Sequence, residues 1–139
     1  MNKNDLLYKE IRIKTDLKEN SLLDVLKIIP HYNSKLIMMY IEATHQLNEL
    51  VSTYETMYKE RLDYYINDSS FDIFQNLKSK EDREIYIKNS DSTLKQKHNE
   101  INTKKEEILF IENLKQYMKD LSFNVNMIIQ YEKFRHGVD

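Results

Sequence analysis

The sequence predicts an all-α fold: two long helices joined by a polar, partly extended segment, with the C-terminal helix forming an oligomeric bundle. Three observations carry this. Gly and Pro each occur once in 139 residues, as Gly137 and Pro30. Phosphate loops need several Gly so that backbone N–H groups can approach the anion, and tight hairpins need Gly or Asn at positive φ. A P-loop enzyme, a Rossmann domain and a β-barrel are therefore poor readings. Apolar residues recur at three- and four-residue spacing over two long stretches, the seam of a helix packed along another helix. Finally, 40% hydrophobic against 32% charged residues is the balance of helices with long solvated faces.

Taken in order, residues 5–14 leave a short helix or a strand open, because Leu6, Leu7, Ile11 and Ile13 fit neither period cleanly. Asn20 or Ser21 caps a short helix from Leu22 to Ile29, with Asp24 in its first turn near the positive dipole end. Pro30 disfavours helical backbone at Ile29 and removes an N–H, which predicts a break or kink. Asn33 or Ser34 then caps a new helix to about Tyr65. Its inward positions are Leu36, Tyr40, Ala43, Leu47, Leu50, Tyr54, Met57 and Arg61.

From Ile66 to Ser90 the pattern dissolves. Asn67 to Ser70 is a turn cluster, Phe71, Ile73 and Phe74 form an apolar knot, and Lys78 to Glu84 is charged. Ile85-Tyr86-Ile87 reads as a short strand or extended segment. Ser90 or Asp91 caps the longest helix, ending near Phe134. Leu94, Ile101 and Ile108 recur every seven residues, and Ile111, Leu114, Met118, Leu121, Val125 and Ile128 continue the stripe. Such a helix of about 44 residues spans roughly 65 Å. A small monomer covers its first helix with only part of that length. The excess stripe, with Phe110, Phe123 and Ile129 off the seam, predicts self-association through Ile108, Ile111, Leu114, Met118, Leu121, Val125 and Ile128.

Lys and Arg number 21 against 23 Asp and Glu, a formal net charge of -2. Blanket attraction to nucleic acid or anionic lipid is excluded, and any anion site is a local patch. Cys is absent, which removes disulfides, thiolate metal sites and a cysteine nucleophile and suits a reducing cytoplasm. The first fourteen residues hold no apolar run long enough for a signal peptide or membrane span. His31, His45, His98 and His136 lack metal-ligand spacing. Asp72, Glu81, Asp82 and Glu84 read as a solvated loop rather than a carboxylate site, and nothing supplies an oxyanion hole. No catalytic residue, metal or cofactor is expected.

The stretch that carries chemistry is Tyr58-Lys59-Glu60-Arg61-Leu62-Asp63-Tyr64-Tyr65. Cations for phosphates beside aromatic faces for bases is what single-stranded nucleic acid requires. The competing reading is packing, because Tyr at helical spacing also builds interfaces, and a cation near a helix C-terminus suits the dipole.

This octet resembles the Lys-x-Arg-Leu-Asp-Tyr-Tyr motif of the UvsY family, recombination mediators of T-even-type bacteriophages. Ser21-Leu22-Leu23 with Ile29-Pro30-His31 and Ser34-Lys35 is similar to the family's Ile-Pro-x-x-His-x-Lys-Tyr stretch. Ser90-Asp91 falls where the family has an acidic cap, and Phe123-Asn124-Val125 through Tyr131 to Gly137 resembles its ending. The likeness covers about residues 20–137. Leu121-Ser122 stands where relatives carry Arg-Gly, and Ile66-Asn67-Asp68 where they carry a small or Gly-containing stretch.

The resemblance implies a non-enzymatic mediator in the cytoplasm of the infected bacterial host. Such a mediator binds single-stranded DNA, weakens the coat of the phage single-stranded-DNA-binding protein, and promotes loading of a RecA-like recombinase of the UvsX type. It also implies a homo-oligomeric ring, typically a heptamer, held through the C-terminal part. Residue by residue it places DNA binding on Lys59 and Arg61 with Tyr64 and Tyr65, and Tyr58 stands beside them. The chain then divides into a strand-binding region, residues 1–90, and an oligomerisation helix, residues 91–139, within one folding unit. A helical scaffold or coiled-coil adaptor without DNA binding is the alternative.

Overall fold

A computed structural model describes residues 2–67 and 79–137. Four α-helices are present among them and no strand: α1 (Lys3–Lys14), α2 (Leu22–Asn67), α3 (Lys80–Ser90) and α4 (Ser92–Arg135). The chain is all-α. It forms two compact units, the first from Met1–Glu42 with Glu107–Asp139 and the second from Ala43–Glu106.

In the first unit, α1 begins at an Asn2 cap, whose side chain accepts from Asp5 N at 2.8 Å. It ends where Thr15 N donates to Ile11 O and Thr15 Oγ1 bonds Tyr117 Oη at 2.7 Å. The open choice over residues 5–14 thus resolves as helix, with Leu7 and Ile11 inward. Asn20 donates to Ile13 O and Asp16 O and closes the turn. Ser21 is the cap of α2, accepting from Asp24 N at 3.1 Å. Val25, Ile29, Tyr32 and Leu36 of α2 and Ile111, Leu114, Met118, Leu121 and Val125 of α4 are the buried apolar residues that these two helices contribute to this unit. Full burial of such a side chain is worth about 1.5–3 kcal/mol.

Of the break or kink expected at Pro30, the break does not occur. α2 runs 46 residues with Pro30 inside it, and Asn33 and Ser34 are interior rather than caps. A proline inside a helix costs about 3 kcal/mol through its lost N–H and ring clash. Here Val25 and Ile29 before it and Tyr32 and Leu36 after it keep one four-three-four seam, all buried, so packing on both sides offsets that cost. Pro30 itself is exposed, which puts the defect on the solvent side.

In the second unit the later part of α2 presents Ala43, buried, and Leu47, Leu50, Tyr54, Met57 and Arg61, half-buried, as the seam predicts. Lys104 Nζ of α4 donates to Gln46 Oε1 at 2.7 Å. The expected extended segment at Ile85-Tyr86-Ile87 is instead part of α3. Ser79 caps it by accepting from Asp82 N at 3.0 Å, Glu81 and Asp82 occupy the first turn, and Lys88 the last. Capping and dipole complementarity outweigh the β propensity of three residues. Only Ile87 of that triplet is buried. The turn cluster after Asn67, the apolar knot at Phe71, Ile73 and Phe74, and Asp72 and Lys78 lie outside the described residues.

Candidate nucleic-acid interface

The octet forms the last described turns of α2 and packs on a cluster of Tyr65, Ile87 and Leu94, against which Tyr54, Met57, Tyr58, Leu62 and Tyr86 lie half-buried. Helical spacing divides the octet. Residues two apart stand about 200° around the axis from each other, so Lys59 and Arg61 do not share a face. Lys59 is exposed. Arg61 lies on the packed side, where its Nε sits 3.1 Å from Asp91 Oδ2, with the Arg61 side chain 42% exposed and that of Asp91 10%.

The aromatic residues divide as well. Tyr64 is 52% exposed, whereas Tyr65 is buried. Their rings meet edge to face at 5.7 Å, and Tyr65 meets Tyr86 likewise at 6.1 Å. Tyr58 stacks on Tyr54 at 6.5 Å, and Tyr54 leans on His98 at 6.0 Å. Burial, then the charge of Asp91, pushes the Tyr65 phenol above its ordinary value. Burial, then Glu84, does the same for Tyr54 and Tyr58. These phenols stay neutral hydrogen-bonding groups at physiological pH. What the octet offers at its surface is therefore Lys59 on one side, Tyr64 with the outer part of Arg61 on another, and the exposed carboxylates of Glu60 and Asp63 among them.

The sequence offered Ser90 or Asp91 as the cap of α4; the structure places Asp91 there and gives it a second task that the sequence did not show. Oδ1 accepts from Thr93 N and Leu94 N, both at 3.1 Å, and Oδ2 receives Arg61. No local signal joins positions 61 and 91. Another arrangement, in the first unit, was also missed: the Arg12 guanidinium lies over Tyr8 at 5.7 Å and over Tyr117 at 5.3 Å. The Tyr8–Arg12 spacing of four was legible; Tyr117 was not.

Of the residues expected to hold an oligomer, Ile111, Leu114, Met118, Leu121 and Val125 are buried within the first unit, Ile108 is half-buried and Ile128 is at the exposed margin. Large apolar side chains exposed on α4 are Leu109, Phe123, Met127, Tyr131 and Phe134. Among the described residues no group of three or more His, Cys, Asp or Glu is placed to hold a metal ion, and no helix is long and apolar enough to cross a membrane.

The described residues define an all-α chain whose second helix carries cations and tyrosines in its last turns. The model of the family described as "Recombination, repair and ssDNA binding protein UvsY" matches residues 7–138. The chain belongs to this UvsY family. Its general function is thereby recombination and repair through single-stranded DNA binding. No curated protein and no solved structure matches the chain.

Proposed function

We propose that the protein is a recombination mediator: it binds single-stranded DNA, weakens the coat of a phage single-stranded-DNA-binding protein and promotes loading of a RecA-like recombinase of the UvsX type. The observation that carries this reading is a family match over residues 7–138 that includes the octet at 58–65. Lys59 and Arg61 take phosphates and Tyr64 offers a stacking face. Tyr65 supports that face, its ring meeting that of Tyr64 edge to face at 5.7 Å, and Tyr58 packs on the cluster around Ile87 and Leu94. No catalysis is involved, so the work is done by binding energy alone, in the cytoplasm of the infected host.

A single patch of this kind binds weakly. A ring of subunits, a heptamer in the resemblance, repeats it, and effective concentration raises avidity by roughly 10²–10⁴ with the same interactions in each subunit. Strand binding is assigned to residues 1–90 and assembly to residues 91–139. Because the chain's own core covers much of the α4 seam, Ile128 at its margin and the exposed Phe123, Met127, Tyr131 and Phe134 supply the surface for neighbouring copies.

The test is a salt series of anisotropy titrations with a labelled oligonucleotide. Replacing Lys59 and Arg61 together by Ala should weaken binding severely and flatten log K against log salt by about 0.7 for each phosphate no longer neutralised, with the oligomer intact by sedimentation. Unchanged affinity and slope would make the octet a packing element and favour the scaffold reading.

A further inference from the structure

We infer that Asp91 is a built-in competitor for Arg61 that sets both the affinity and the salt response of the strand-binding surface; this rests on the strand-binding role of Arg61 proposed above. Asp91 is held by more than its ion pair. Its Oδ1 takes the backbone N–H groups of Thr93 and Leu94 at the start of α4, so the carboxylate cannot swing away when a strand arrives. Oδ2 is thereby aimed at Arg61 Nε, 3.1 Å away. That ion pair consumes one edge of the guanidinium and leaves the outer in-plane N–H groups for a phosphate oxygen.

This placement fixes the electrostatics. A phosphate on the outer edge of Arg61 stands within one guanidinium width of a fixed carboxylate. Counterions screen exposed charges over about 10 Å at 0.1 M salt, and they screen groups taken out of solvent much less. Asp91, with its side chain only 10% exposed, keeps its field on the arriving phosphate at physiological salt. Arg61 thus acts on a strand as a directed hydrogen-bond donor carrying much less than a full free charge. The strand gains orientation at this position and little counterion release. A surface that must give its strand up to another protein benefits from such a tempered hold.

Asn and Ser both cap helices as well as Asp does, so Asp91→Asn and Asp91→Ser remove the charge while keeping the start of α4. Both variants should bind a labelled oligothymidylate tighter than the parent, on the order of three- to tenfold at low salt, and steepen log K against log salt by about 0.7. In an Arg61→Ala background, Asp91→Asn should change little, because the coupling runs through Arg61. In the unaltered protein, the Arg61 Nε–H NMR resonance, assigned by its loss in Arg61→Ala, should shift on adding the strand. The inference is overturned if folded Asp91 variants bind no tighter than the parent with its slope, if the gain is as large without Arg61, or if that resonance stays still. If replacing Lys59 and Arg61 abolishes binding while the Asp91 variants match the parent, only this inference falls. If that double replacement leaves binding unchanged, the strand-binding role of the octet falls with it.

Discussion

The two units bury their side chains differently. In the first, Ile11, Val25, Tyr32, Leu36, Ile111, Met118 and Val125 are fully enclosed; in the second, among the described residues, Ile87 and Leu94 are the large side chains so enclosed. The second unit surrounds them with rings that are half in and half out: Tyr54, Tyr58 and Tyr86. An amphipathic ring with one side packed and a polar tip outside is suited to meeting a ligand. The difference teaches where each property resides. The first unit encloses more of its large side chains, and the second, among the described residues, leaves more ring surface half exposed.

The sharpest way to break that comparison is to cut a side chain from each core. Met118→Ala in the first unit should cost about 2–5 kcal/mol in urea unfolding. Leu94→Ala in the second should cost clearly less, because its half-exposed neighbours can settle into the space. Equal losses would end the distinction between the units.

The next contrast lies within the octet. Tyr64→Ala should weaken strand binding by about 1–3 kcal/mol, the worth of a stacked base, with an unchanged salt slope and an unchanged melting temperature. Tyr65→Ala, which removes a buried ring, should lower the melting temperature first. Anisotropy and thermal melts on the two variants give the pattern directly, and a reversed one would mean that the exposed ring is not the stacking face. A smaller effect concerns the joint between α3 and α4. Asp91→Ala should destabilise the protein by about 1 kcal/mol by removing the cap, and Asp91→Asn by less, as read from urea midpoints.

The smallest expected effect is a dependence on pH. Burial, then Lys88 and Lys105, holds His98 below its ordinary pKa. Between that lowered value and about 6.5 the unfolded chain binds more protons than the folded one. The contribution is therefore complete above about pH 6.5 and is lost as pH falls toward the folded value. Urea midpoints between about pH 7 and pH 5 should show a fall that His98→Gln reduces; an equal fall in that variant assigns it to other groups.

Much of this was legible from spacing. The seam from Leu36 to Arg61 and the stripe from Leu94 to Val125 face inward where the three-four pattern put them, because burial of a helical stripe is a local consequence of period. Pro30 misled because a rule about one peptide unit was set against a seam that only the folded unit reveals. Ile85-Tyr86-Ile87 misled because three β-prone residues weigh less than a Ser79 cap and an acidic first turn. The motif at 58–65 was visible as composition, but its division into two faces needed the helix, and the Arg61–Asp91 ion pair needed the fold. Burial of Ile111 to Val125 inside the chain could not be read from the stripe, since an apolar seam does not say whose surface covers it.

A single residue joins α3 to α4. Asp91 N–H closes the last turn of α3 on Ile87 O at 2.9 Å while its carboxylate opens α4, so nothing between the two helices can absorb a change in chain length. One residue inserted there would shift the start of α4 relative to α3 and separate Leu94 from Ile87, with which it now shares a buried cluster. Natural relatives should then vary in length on the other side of α3, before Ser79, and hold this joint to a constant count, an expectation that any set of related sequences can check by its gaps.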